Sequence, residues 1–297
     1  EAWVTAKPHF YATTKFTLDA KAMIIHEVSL DAQELEYNYD DKQIIIDLPK
    51  KYTKKEEFTV YIRYTARPEK VKQKGSAAIT DAKGLYFINA DGFYKDKSTQ
   101  IWTQGATEAN SCWFPTIDSP NQKTTQEIYM TVPDKFQTLS NGKLVSQTKN
   151  GTSRTDYWKM DQKHAPYLVF MGIGEYEIIE DSYKNIPVNY YVEKEYAPYA
   201  KDIFGLTPEM MGFFSDILGV EYPWDKYHQI VARDFVSGAM ENTTAVIHGE
   251  KAYQAPGQLI DKNLQENTIA HELFHHWFGD LVTSESWSNI TLNESFA

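Results

Sequence analysis

The hydrophobic pattern of the chain changes its period once, near residue 193, and this change constrains the fold more than any other feature. Between residues 1 and 192, apolar and polar residues alternate with period two in runs that turn residues interrupt. The alternation is clearest at residues 44–48, 58–64, 85–89, 127–132 and 167–173. Because successive strand residues point to opposite faces of a sheet, residues 1–193 are predicted to form an all-β, saddle- or sandwich-like domain.

Glycine-containing dipeptides punctuate this part of the chain and indicate tight turns between strands. They occur at residues 83–84, 91–92, 141–142 and 150–151. The last two are Asn-Gly pairs, which favour two-residue hairpin turns. They flank residues 143–149, so this segment is predicted to be a hairpin strand.

From residue 194 the pattern changes to helical spacing, with apolar stripes through residues 194–218. Pro208 follows Thr207 and favours a helix restart there, because proline suits the first helical turn. A strand at 229–232, an extended edge at 238–249 and helices at 263–279 and 289–297 are predicted next, with Gly279 ending the first of these helices. The predicted fold class is therefore β followed by α/β, with domains at 1–193 and 194–297.

Composition and charge exclude several classes of protein. The chain has 297 residues, which suggests about two domains, and its net charge of −11 argues against nucleic acid as a main partner. No run approaches the ~18 apolar residues that a membrane span needs. The single cysteine, Cys112, excludes an internal disulfide framework.

The two ends of the chain lead us to expect a piece of a longer protein. The chain begins at Glu1 without a Met or a signal segment, and it stops at Ala297 inside a predicted helix. The sequence leaves the compartment, cytoplasmic or exported, and the oligomeric state open.

The run His271-Glu272-Leu273-Phe274-His275 is the strongest chemical signal in the chain. Residues four apart on a helix project from one face, one turn apart, so both imidazoles can bind a single zinc ion. Glu272 lies next to the first ligand, where its carboxylate can reach a water molecule on the metal. His271 and His275 are therefore predicted metal ligands and Glu272 the catalytic base.

A catalytic zinc site needs a third protein ligand, and Glu294 is the candidate. It follows His275 by nineteen residues, a spacing that defines one large group of zinc peptidases. His276 points to another face of the helix and is expected to be a packing or supporting residue. The other histidines lack ligand spacing and are expected to be structural or surface residues: His9, His26, His164, His228 and His248.

The segment Gly238-Ala239-Met240-Glu241-Asn242 lies thirty residues before the zinc motif. With it, the chain resembles the gluzincin aminopeptidases of the M1 family, whose signature is GAMEN followed by HExxH and a distant Glu. The resemblance implies that Glu241 binds the substrate's free α-amino group and that Gly238, Ala239 and Met240 support the peptide along a strand edge. It also implies that the second domain is the first part of a thermolysin-like catalytic domain.

A second match lies in the β-rich part, from Thr103 through Asp118 to Pro120. It is similar to the family segment in which a Gln and a Glu two residues later reach the active site. Gln104 matches the Gln and is predicted to contact substrate. Ala106 stands at the position of the Glu, so the resemblance implies no second carboxylate there.

The resemblance implies a zinc aminopeptidase with one Zn²⁺ per chain that removes N-terminal residues from peptides with a free N-terminus. The family's transition-state tyrosine and C-terminal helical domain would lie beyond Ala297. Two alternatives stay open: a non-catalytic or inactive fragment of the same fold, and a thermolysin-type endopeptidase without an amine anchor. A combined aminopeptidase and epoxide hydrolase, known among relatives, is not favoured by any residue, and the preferred N-terminal residue is left open.

Overall fold

The computed structural model describes residues 1–297 and contains 21 strands and four α-helices. The strands of the first part are β1 (Ala2–Ala6), β2 (Thr13–Asp19), β3 (Met23–Leu30), β4 (Gln33–Glu34), β5 (Tyr37–Tyr39), β6 (Gln43–Tyr52), β7 (Phe58–Ala66), β8 (Leu85–Ile88), β9 (Gln100–Thr103), β10 (Thr124–Pro133), β11 (Gln137–Ser140), β12 (Lys143–Asn150), β13 (Ser153–His164) and β14 (Met171–Gly174). The remaining strands are β15 (Glu177–Ile179), β16 (Ser182–Tyr183), β17 (Ile186–Pro187), β18 (Tyr190–Val192), β19 (His228–Ala232), β20 (Ala239–Met240) and β21 (Ala245–Gly249). The helices are α1 (Ala200–Phe204), α2 (Thr207–Leu218), α3 (Glu266–Phe274) and α4 (Thr291–Glu294).

Two antiparallel sheets at the start of the chain share the first hydrophobic core. One has the strand order β1-β7-β3-β4 and the other β2-β6-β5. Buried and exposed residues alternate along these strands, and Ile44, Ile46, Val60 and Ile62 are fully buried between the sheets. Each buried side chain of this kind stabilises the fold by about 1.5–3 kcal/mol relative to its exposed state.

A second pair of sheets connects this β-rich part to the catalytic region. Their strand orders are β10-β13-β12 and β11-β14-β9-β8. The core beneath them contains Trp102, Trp158 and Phe170, and it continues into Ile230 and Ile247 of the following sheet. The β-rich part and the later sheet are therefore packed through one continuous core.

The sheet that supports the candidate site has the order β15-β18-β19-β21-β20. Strands β18, β19 and β21 run parallel, while β15 and β20 are antiparallel to their neighbours, and β20 forms an edge. Helices α1, α2 and α3 contribute Phe204, Met211 and Leu273 to a core shared with this sheet. A β-rich part followed by a mixed α/β sheet confirms the predicted fold class.

The division at residues 193 and 194 stays a prediction. Strands on both sides of it, β15 and β18 before and β19 to β21 after, pair within the same sheet. None of the helices is long and apolar enough to cross a membrane.

The predicted helix at 263–279 is shorter in the structure, because α3 ends at Phe274. Beyond this point the amides of His276 and Trp277 bond to carbonyls only three residues back, those of Leu273 and Phe274. These tighter turns replace the regular helix, and Gly279, with φ of 131°, lies beyond them.

Two further segments differ from the sequence prediction. The run at 167–173 begins as a 3-10 helix, Pro166–Leu168, and becomes strand only in β14. The helix expected at 289–297 is limited to α4, preceded by the 3-10 helix Trp287–Asn289. A proline in the first turn favours the first of these short helices.

Candidate metal centre

The two histidines of the HELFH motif lie one turn apart, His271 in the last turn of α3 and His275 directly after it, with their rings in contact. Their Nε2 atoms are 3.1 Å apart. Glu294, at the end of α4, brings its Oε2 to 3.7 Å from His271 Nε2 and 3.6 Å from His275 Nε2. Three donor atoms from two helices therefore form a nearly equilateral triangle.

The dimensions of this triangle fit a tetrahedral zinc ion. Zinc–nitrogen and zinc–oxygen bonds of ~2.0–2.1 Å place two ligand atoms about 3.3 Å apart, close to the separations of 3.1, 3.6 and 3.7 Å in the structure. Two imidazoles and one carboxylate are also the donor types that zinc prefers in hydrolases. The three residues present thus fit a zinc ion in both geometry and chemistry.

A backbone contact sets the orientation of the His275 ring. Its Nδ1 lies 3.0 Å from the carbonyl oxygen of Phe278, an atom that can only accept, so Nδ1 carries the proton. In the neutral ring Nε2 then keeps a free lone pair directed at the triangle. The tight turns after Phe274 bring this carbonyl within hydrogen-bond distance of the ring.

Aromatic packing helps to position Glu294. The rings of Phe278 and Phe296 stack with centroids 4.8 Å apart, which ties the segment after α3 to the segment after α4. The side chain of Glu294 is 48% exposed, whereas that of His275 is 1% exposed. The triangle is therefore buried on the side of His275 and open to solvent on the side of Glu294.

Two buried carboxylates lie beside the triangle. One donor oxygen each of Glu241 and Glu272 and a ring nitrogen of His275 all lie within 4.8 Å of one another. Each of the two glutamates is 5% exposed. Burial raises the pKa of Glu272 well above its usual value, and the nearby charges of Glu241 and Glu294 add to the shift. A bound divalent cation would act in the opposite direction.

The segment that carries Glu241 forms the edge of the five-stranded sheet. In β20, Ala239 and Met240 pair with β21, and the Gly249 amide donates to the Gly238 carbonyl at 2.9 Å. A Cβ at Gly238 would meet nothing within 4 Å, so its surroundings are open. The outer edge of β20 faces no further strand.

Gln104 is also buried, at 1% exposed, directly after β9. Its Oε1 accepts a hydrogen bond from the Ala106 amide at 2.9 Å, and its Nε2 has no partner within the protein. Its role in substrate contact therefore stays a prediction. Glu108, the acidic residue nearest in sequence to Ala106, is exposed.

The remaining histidines play no part in the triangle. His9 and His26 are exposed, whereas His164, His228 and His248 are buried. Burial lowers the pKa of His164 and of His248 to about 3. His276 is fully buried and accepts a hydrogen bond from the Thr244 amide at 3.0 Å, so it connects α3 with the segment after Glu241.

The structure adds two residues that the sequence pattern did not single out. The hydroxyl of Tyr167 lies 3.1 Å from Glu241 Oε1, and the side-chain amide of Asn293 donates to that hydroxyl at 3.0 Å. Both residues are buried. The position of Asn293 directly before Glu294 was the only local signal that pointed to it.

Two imidazoles one helical turn apart, a carboxylate from a following helix and a buried glutamate beside them are typical of zinc peptidases. A family model described as the peptidase M1 N-terminal domain matches residues 3–168, and one described as the peptidase family M1 domain matches residues 203–297. The chain therefore belongs to the peptidase M1 family, as the sequence motifs predict.

Curated relatives carry related names. The chain is 30% identical to the puromycin-sensitive aminopeptidase of Caenorhabditis elegans over 96% of its own length and 30% of that protein's. It is 26% identical to probable aminopeptidase 2 of Sulfurisphaera tokodaii, over 98% of the chain and 35% of the relative. The chain thus spans about a third of the length of these two relatives.

A solved structure supports the fold independently. Aminopeptidase A of Legionella pneumophila, in complex with aspartic acid, superposes with a TM-score of 0.83 at 19% identity. The match covers 98% of this chain and 34% of that one. This chain therefore shares the fold of the matching part of that structure.

Proposed function

We propose that the chain carries the metal and amine-binding half of a zinc aminopeptidase, which removes single residues from the free N-termini of peptides. The position of Glu241 is the observation that carries this proposal. Its carboxylate lies within 4.8 Å of both Glu272 and His275. The nitrogen and carbonyl carbon of one residue are about 2.5 Å apart, so an ammonium held by Glu241 leaves room for a single residue before the scissile bond.

His271, His275 and Glu294 would hold one zinc ion per chain, since their donor atoms match its size and preferences. When bound, zinc would polarise the scissile carbonyl and lower the pKa of a water molecule toward ~7. Membership in the family implies a metal cofactor. We propose that this metal is zinc and that the three residues are its ligands.

Glu272 would move the proton. Its carboxylate is buried beside the triangle, where it can accept a proton from the attacking water at one oxygen and deliver it to the leaving amine. Glu241 would bind the α-ammonium by a charge-assisted hydrogen bond. The open edge of β20, formed by Gly238, Ala239 and Met240, would pair with the extended substrate backbone.

Gln104 would contribute a polar group to substrate binding. Its Nε2 is buried without a partner in the protein, and an unpaired buried donor is costly. A substrate carbonyl or a water molecule could satisfy it. Because Ala106 carries no carboxylate, Glu241 would be the main anion for the substrate amine.

The first experiment is the substitution Glu272→Gln, which keeps the shape of the side chain and removes its basicity. We expect zinc content to be retained and turnover of alanyl and leucyl chromogenic amides to fall by at least ~100-fold, the size of a general-base contribution. Near-normal turnover in the variant would show that Glu272 is not the base.

A second measurement separates the proposal from the endopeptidase alternative. An aminopeptidase should hydrolyse a peptide with a free N-terminus and leave its N-acetylated form intact, because acetylation removes the charge that Glu241 binds. Equal rates on the two peptides would favour the endopeptidase. Zinc binding without hydrolysis of either peptide would favour the non-catalytic alternative for this chain.

A further inference from the structure

A continuous hydrogen-bond chain links Glu241 to the helix that carries Glu294. The amide of Ser284 donates to Asn293 Oδ1 at 3.1 Å, and Asn293 Nδ2 donates to the Tyr167 hydroxyl at 3.0 Å. The hydroxyl in turn lies 3.1 Å from Glu241 Oε1. All four residues are buried. These hydrogen bonds thus connect the β-rich part, the sheet edge and α4.

The direction of each hydrogen bond is fixed by chemistry. The backbone amide of Ser284 can only donate, so the Asn293 atom that it meets must be the oxygen, and the atom that faces Tyr167 must be the nitrogen. That nitrogen can only donate, so the Tyr167 oxygen accepts. An ionised carboxylate only accepts, so the Tyr167 proton points at Glu241. Burial and the charge of Glu241 raise the pKa of Tyr167, which keeps its proton on the hydroxyl.

Packing removes the remaining freedom of the Tyr167 ring. The ring meets Trp287 edge to face with centroids 4.8 Å apart, and the tyrosine is 2% exposed. The hydroxyl therefore cannot follow Glu241 if the carboxylate rotates. The Tyr167 hydroxyl is the one group that hydrogen-bonds to the Glu241 carboxylate, and it does so through Oε1, which leaves Oε2 for a ligand.

We propose that Tyr167, held by Asn293, is a positioning residue that fixes the Glu241 carboxylate through Oε1 and presents Oε2 to the substrate ammonium. The inference rests on the proposed role of Glu241 as amine anchor. It adds that amine selectivity depends on a residue outside the GAMEN and HExxH segments. It also couples the amine anchor to α4, so that one hydrogen-bond chain sets the distance between the amine site and the metal triangle.

The test is the substitution Tyr167→Phe, which keeps the ring against Trp287 and removes only the hydroxyl. Binding of L-leucinamide and of N-acetyl-L-leucinamide is measured by NMR titration on the zinc-loaded and on the zinc-depleted chain. We expect the dissociation constant of L-leucinamide to rise about tenfold in both forms, because the Glu241 carboxylate is then no longer held with Oε2 towards the ammonium. Binding of the acetylated ligand should stay unchanged.

Kinetics and zinc content give a second readout. For leucyl chromogenic amide the KM of Tyr167→Phe should rise about tenfold with kcat within about twofold, because the lost contact acts on bound substrate and transition state alike. Zinc content should equal that of the wild type. A residue with only a structural role would lower folding stability without changing the preference for the free amine.

Two further variants keep the inference falsifiable. Tyr157→Phe is the matched control, since Tyr157 on β13 donates to Glu127 on β10 at 2.8 Å in an exposed tyrosine–glutamate pair. It should change neither ligand's binding. Asn293→Asp keeps the acceptor for the Ser284 amide but replaces the donor to Tyr167 with a second acceptor. It should therefore also weaken L-leucinamide binding. This variant tests the inference if Tyr167→Phe does not fold.

The outcomes separate the inference from the proposed function. If the wild type binds the free and acetylated ligands equally, Glu241 is not an amine anchor and the proposed function fails. If the wild type prefers the free amine and Tyr167→Phe keeps that preference in full, the proposed function stands and the positioning role of Tyr167 is wrong.

Discussion

At the scale of single residues, the centre depends on which atoms are left free. The Phe278 carbonyl binds His275 Nδ1 at 3.0 Å, so Nε2 is available to a metal. In the same way the Tyr167 hydroxyl binds Oε1 of Glu241 and makes no contact with Oε2. Neutral contacts to backbone and side chains therefore orient both His275 and Glu241.

Glu294→Gln tests the third ligand directly. An amide oxygen is a much weaker zinc ligand than a carboxylate. Because one of the three protein ligands is then weakened, the zinc dissociation constant at neutral pH should rise roughly 100-fold. Competition with a chromophoric chelator measures it. Glu285→Gln, which changes an exposed glutamate in the preceding loop, is the control and should leave zinc affinity unchanged. Equal affinity in all three proteins would remove Glu294 from the ligand set.

At the scale of elements, the turn at Gly142 is more constrained than its counterpart at Gly151, although both come from an Asn-Gly pair. Both glycines have positive φ, 72° and 62°. A Cβ at Gly142 would lie 1.9 Å from the Lys159 carbonyl oxygen, whereas one at Gly151 would meet nothing within 4 Å. The Gly142 amide also donates to Thr244 Oγ1 at 2.8 Å, which ties the turn to the segment after Glu241.

These two turns give a matched pair of substitutions. Gly151→Ala should lower the free energy of unfolding by about 1–2 kcal/mol, the cost of a left-handed residue with a side chain. Gly142→Ala has the same strain and a backbone clash in addition. Its free energy of unfolding should therefore fall further, by at least ~3 kcal/mol. Urea unfolding of both variants measures the difference, and equal losses would mean that the turn at Gly142 moves to accept the methyl group.

The same comparison of elements shows what the sequence could predict. Helix α3 and its two histidines follow from a spacing of four residues, which a local pattern records. The end of α3 at Phe274 was not predictable from that spacing, because the motif runs past the point where the amides of His276 and Trp277 turn to carbonyls three residues back. Tyr167 was missed because its partners Glu241 and Asn293 lie 74 and 126 residues away in the chain. No local periodicity reports contacts of that kind.

At the scale of the whole molecule, the cores bury histidines as neutral rings. His164 and His248 are fully buried, and burial lowers the pKa of each to about 3 from 6.5. Each ring has one hydrogen bond, to Gln126 Oε1 and to Gln229 Oε1 respectively, both at 2.9 Å. The two residues belong to different sheets, so both the β-rich part and the mixed sheet contain such a group.

This burial predicts that the fold loses stability as the pH falls below about 6.5. The unfolded chain binds a proton at each histidine near pH 6.5, whereas the folded chain does so only near pH 3. Between these values the unfolded state holds more protons, so each group lowers the unfolding free energy by ~1.4 kcal/mol per pH unit. The variant His164→Gln should reduce this slope by about that amount, while His26→Gln, at an exposed position, should leave it unchanged. Urea unfolding at pH 6.5, 5.5 and 4.5 gives the slopes, and an unchanged slope in His164→Gln would show that His164 is protonated in the folded protein.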